Sequence, residues 1–157
     1  MQPRSHRSIA PVVGALLLLA VVVAMGVAVA AGVGSLEPVD PAPAATLELA
    51  ATADDDRLVI EHVAGESLDV RELSVRVTVE GEPLDEQPPV PFFQDDGFRG
   101  GPTGPFNAES DPTWAAGERA GVRVAETNDP SIEAGDRVAV TISRDGDRVA
   151  TLETTAE

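Results

Sequence analysis

Residues 72–80 read Glu72-Leu73-Ser74-Val75-Arg76-Val77-Thr78-Val79-Glu80, an alternation that puts Leu73, Val75, Val77 and Val79 on one side of an extended chain. Side chains of a strand point to opposite faces with period two, so the pattern predicts a strand with one buried and one wet face. The same period recurs from Arg137 to Arg144, where Val138, Val140 and Ile142 share a face, followed by Asp145-Gly146 and a return run from Asp147 to Thr154. Asp-Gly between two strand-like runs predicts a hairpin, because a two-residue turn of this type needs positive φ at both positions. Further strands are expected at Thr46 to Ala51, Arg57 to Val63 and Arg119 to Ala125, with a short one at Val90 to Phe93. No crossover helix of roughly 10 to 15 residues separates them, which favours an antiparallel arrangement over a parallel sheet. The expected fold is mainly β: one long N-terminal α-helix followed by a small, immunoglobulin-like antiparallel β-sandwich over residues 46–157.

The helix is expected upstream. Ile9 through Val33 carries only apolar side chains, glycine and one proline. At 1.5 Å per residue this run makes a helix of about 37 Å, long enough to span a bilayer with some tilt. A secretory signal core is shorter, about 7 to 15 residues, although Ala28-Val29-Ala30 has the small-x-small form a signal peptidase accepts. Arg4, His6 and Arg7 precede the run and the next basic residue is Arg57. The positive-inside bias therefore predicts a cell-membrane location, held by this single helix, with the C-terminal domain outside. Ala20, Ala24, Ala28 and Gly32 form a ladder of small residues at four-residue spacing, and Gly26, Ala30 and Gly34 a second. Such a smooth side suits close helix-on-helix packing, although Ala and Gly are common in membrane helices generally. Pro11 is tolerated in a first helical turn, so the helix should begin near Ser8.

Arg7 followed by Ser8-Ile9-Ala10-Pro11-Val12-Val13-Gly14 and then Ala15-Leu16-Leu17-Leu18-Leu19 resembles the N-terminal domain of archaeal, especially haloarchaeal, type IV pilins. There the segment commonly reads as a short basic or polar leader and then a Ser-Pro-Val-Ile-Gly-like motif opening the apolar helix. Ala10 stands where Ser often precedes the proline, and Val13 where Ile is usual. The resemblance implies a class III signal over residues 1–7, cut between Arg7 and Ser8 by a prepilin peptidase, with the helix at 8–35 kept on the mature chain. It further implies the pilus assembly machinery, self-association or other pilins as partners, and a cell-surface or pilus location after processing. The function so implied is a structural subunit of an archaeal surface filament with a role in adhesion or attachment. The alternative is a membrane-anchored, non-polymerising extracellular sandwich protein.

Residues 36–45, with prolines at 38, 41 and 43, read as an extended, semi-rigid stalk. Gln94 to Trp114 reads as a long Gly/Pro-rich loop carrying Phe98, Phe106 and Trp114. Loops of this length are uncommon in compact domains, and the three rings either pin the loop to the core or form a surface contact for adhesion or a neighbouring subunit.

Charge is lopsided. The chain has 27 Asp and Glu against 11 basic residues, all Arg, and residues 37–157 hold 9 Arg and all 27 acids, a formal −18. Phosphate backbones need clustered Lys and Arg, so nucleic acid is disfavoured as a partner. Scattered carboxylates without Lys fit a solvated surface suited to high salt, where screening acts within a few ångströms. Cysteine is absent, which removes disulfides, thiol nucleophiles and Cys-ligated metals. His62 is the single His outside the N-terminal segment, too little for a triad or a zinc site. Asp54-Asp55-Asp56 and Asp95-Asp96-Gly97 lack calcium-loop spacing and read as solvated turns. No enzyme activity, catalytic residue, metal or cofactor is expected.

Overall fold

β4 (Leu73–Val79) pairs antiparallel with β8 (Arg137–Arg144), and the register sets Val75 opposite Ile142, Val77 opposite Val140 and Val79 opposite Val138. Each of these side chains is buried, while Ser74 and Arg76 face out. The alternation in the sequence is thus spent on one apolar face, where β-branched side chains pack well across neighbouring strands. The structure is a computed structural model that describes residues 10–33 and 44–157.

Two larger antiparallel sheets organise the β-rich part. The first runs β1 (Ala45–Thr52), β2 (Arg57–Gly65), β7 (Arg119–Arg123). The second runs β5 (Glu82–Pro83), β4, β8, β9 (Asp147–Thr155). β3 (Leu68–Asp69) and β6 (Thr113–Trp114) form a separate two-residue ladder. The buried faces of these sheets contribute to one hydrophobic cluster, including Leu47, Leu58 and Ile60 from the first and Val77, Val140 and Ile142 from the second. The chain end ties β1 to the segment after β9: Ala53 N–H donates to the Glu157 carbonyl at 2.8 Å and Glu157 N–H to that of Ala51 at 3.1 Å.

The expected hairpin is present. Asp145 and Gly146 take φ of 51° and 90°, and β8 and β9 pair on either side of them. Ala45, assigned to the stalk, is the first residue of β1, and residues 36–43 of that stalk lie outside the described residues. The strand expected at Val90 to Phe93 is not formed: Pro91 offers no N–H to a ladder. Phe92 instead makes an isolated bridge to Asn107.

The chain divides into two units with the boundary between Asp40 and Pro41. The first contains α1 (Ala10–Val33), which has Pro11 in its first turn as expected. The side chains described in α1 run from Pro11 to Met25. Among the described residues no helix is long and apolar enough to cross a membrane. The expected anchoring through a single N-terminal helix, and the cell-membrane and cell-surface location inferred from it, are therefore corrected.

Candidate assembly surface

Every side chain described in α1 is exposed, and ten of them are large and apolar: Val12, Val13, Leu16, Leu17, Leu18, Leu19, Val21, Val22, Val23 and Met25, at 47% to 69% exposure. Successive residues of a helix turn by about 100°, so Leu16, Leu17, Leu18 and Leu19 point to four different sides. The helix has no polar face. An ordinary surface helix shows an apolar stripe on one side only, whereas one that is apolar all round is found buried.

Of the residues singled out in the sequence, Ala10, Pro11, Val12, Val13 and Gly14 form the opening of α1. Arg7, Ser8 and Ile9, with the rest of the pilin-like motif and the expected processing site, lie outside the described residues. Ala20 and Ala24 are exposed, and a Cβ added at Gly14 would meet nothing within 4 Å. Ala28 and Gly32 fall in α1 beyond Met25, past the described side chains.

The loop at 94–114 resolves the other way. Phe98, Phe106 and Trp114 are buried, at 5%, 1% and 0% exposure. Phe106 meets Trp114 edge to face with ring centroids 5.2 Å apart, and Phe98 packs on Phe92 at 5.4 Å. The indole Nε1–H donates to the Glu118 carbonyl at 3.1 Å. These buried rings pin the loop to the core, the first of the two roles the sequence allowed them, and Phe98, Phe106 and Trp114 present no surface for a contact. The exposed aromatic is Phe93, at 58%. The sequence drew attention to bulky rings in the loop, but only the chain's path decides which rings turn inward.

Three polar side chains hold this region together, and two of them, Gln87 and Asn128, carried no signal in the sequence. The Asn128 amide is buried and bridges two loops: Oδ1 accepts from Glu86 N–H at 2.9 Å, and Nδ2 donates to the carbonyls of Glu86 at 2.9 Å and Gly97 at 3.0 Å. The Gln87 amide pairs with the backbone of β4 as a strand would, accepting from Val77 N–H at 2.6 Å and donating to the Val77 carbonyl at 3.0 Å. His62, fully buried in β2, sets Nδ1 3.0 Å from the Trp114 carbonyl and Nε2 3.1 Å from that of Ala64. Its role is to satisfy buried backbone groups, which otherwise remain unpaired at a cost.

Among the described residues the acidic surface holds a well-formed pair between Arg119 and Glu61, with Nε donating to Oε2 at 2.8 Å, and a second between neighbours in sequence. Asp69 Oδ1 accepts from Arg71 Nε at 2.9 Å and from Arg71 N–H at 3.0 Å. The guanidinium contact first, and the backbone N–H second, hold the Asp69 carboxyl down to about 2. Asp111, beside it, is lowered chiefly by the Thr113 N–H that donates to it at 2.8 Å. Among the described residues no group of three or more His, Cys, Asp and Glu comes together to hold a metal ion. No protein-family model and no curated protein matches this chain.

Proposed function

We propose that this chain is a type IV pilin-like structural subunit of an archaeal filament, processed ahead of α1 and assembled through it. The acidic β unit, read as a small immunoglobulin-like sandwich, serves adhesion or attachment and performs no catalysis. The observation that carries the reading is the exposed apolar surface on all sides of α1. The motif from Ser8 to Gly14 adds the resemblance to pilins.

Magnitudes favour enclosure over simple pairing. Fully burying a Val, Leu or Met side chain contributes about 1.5–3 kcal/mol, so covering ten half-exposed ones contributes on the order of 10 kcal/mol. Association itself costs about 4–15 kcal/mol. A partner covering one side leaves about half of this apolar surface in water, whereas several copies surrounding the helix cover all of it. A filament core supplies that enclosure with identical helices.

Electron microscopy of the native full chain tests the reading. Filaments of one repeating subunit, a mature mass beginning at Ser8, and loss of filaments on Leu17→Glu with an unchanged β circular-dichroism signal are the expected results. A native chain that starts at Met1 and stays monomeric at high concentration overturns it.

A further inference from the structure

Arg57 and Arg123 stand directly opposite each other in the antiparallel pairing of β2 with β7. Like charges in directly opposed positions destabilise a sheet. Among the described residues neither forms an ion pair, although the chain has far more carboxylates than cations. A third guanidinium joins them. Arg99 N–H donates to the Arg123 carbonyl at 2.8 Å, and Thr103 N–H to the Gly121 carbonyl at 2.8 Å, so the segment between runs along the free edge of β7. Gly100 and Gly101 lie between these two attachment points and, with Thr103 and the three arginines, line a cleft of about 210 Å³.

We propose that this cleft is a binding site for a small oxyanion: a carboxylate, sulfate or phosphate group free in solution. The guanidinium fork presents paired N–H donors that match the oxygens of such groups, and an anion between Arg57 and Arg123 turns their repulsion into two attractions. Arg99 is partly neutralised, with Asp56 Oδ2 at 3.5 Å and Glu126 Oε1 at 3.9 Å. These contacts hold its side chain at the cleft while leaving the other two cations for the ligand. The volume lies below the roughly 300–1,000 Å³ of pockets for drug-sized molecules, which selects a small anion over a larger anionic ligand. The inference is independent of how α1 is covered.

Isothermal titration calorimetry of the full chain with inorganic phosphate, and separately with sodium acetate, at ionic strength held constant with NaCl, tests it. Saturable one-to-one binding of either anion is expected, with acetate preferred if the site is shaped for a planar carboxylate and phosphate if for a tetrahedral group. Arg57→Gln and Arg123→Gln should each weaken it about tenfold, the loss of about 1.4 kcal/mol. Arg76→Gln, on an exposed position of β4 away from the cleft, should leave it unchanged. No saturable heat with either anion, or an equal loss in Arg76→Gln, overturns the proposal.

Discussion

The imidazole Nδ1 of His62 lies 3.0 Å from the carbonyl oxygen of Trp114, a residue 52 positions later in the chain. The contact fastens β2 to β6, and with it the end of the long loop, at a place where both partners are buried. Replacing His62 by Leu keeps the volume apolar but removes the ring N–H, which either neutral tautomer can offer to only one of the Trp114 and Ala64 carbonyls. An unsatisfied buried group costs about 1–3 kcal/mol, so His62→Leu should lower unfolding stability by about 1–3 kcal/mol. Urea denaturation measures it, and a cost below ~1 kcal/mol would show that the carbonyls find other donors.

Gly104 opens the short 3₁₀ turn Gly104–Phe106 with φ of 63°, and a Cβ built there would collide with the carbonyl oxygen of Arg119. The turn delivers Phe106 to the core against Trp114. Gly104→Ala should therefore cost well over the ~1 kcal/mol expected from left-handed strain alone. Gly117→Ala is the control, because φ is 91° there and the added methyl meets open space. Equal melting temperatures for the two variants would contradict this account of the turn.

Asp69 titrates far below its ordinary value of 3.8, at about 2. A carboxyl whose folded value is depressed stabilises the fold in full above its unfolded value, and the contribution disappears as pH falls through the folded one. For Asp69 that window runs from about 4 down to about 2. Carbon-detected NMR titration of Arg71→Ala should return Asp69 toward the ordinary range. Asp111 should stay depressed, because its principal partner is the Thr113 N–H.

Most strands were legible because their chemistry is local. The period-two runs at 73–79 and 137–144 coincide with β4 and β8, and Asp145-Gly146 announces its hairpin through the φ values the turn demands. β3, β5 and β6 are two residues each, too short for any periodicity, and the Phe92 bridge depends on a distant Asn107. The amide clamps of Gln87 and Asn128 were illegible for the same reason. Their partners are set by tertiary position, up to 42 residues away, and not by neighbours in sequence. Arg57 and Arg123 look unremarkable 66 positions apart until the register of β2 and β7 sets them face to face. The apolar helix was visible from its composition.

Enclosure of α1 on all sides by copies of itself, as proposed, is directly testable because the chain has no cysteine. Single cysteines at Leu16, Leu17, Leu18 and Leu19 sample four directions around the helix. Oxidative cross-linking of assembled full chain, with the single-cysteine variants mixed in pairs so that staggered neighbours can meet, should yield covalent dimers involving all four positions, since disulfides form where Cα atoms come within about 7 Å and a symmetric core places helices on every side. Cross-linking confined to one position, or absent at all four, would contradict it.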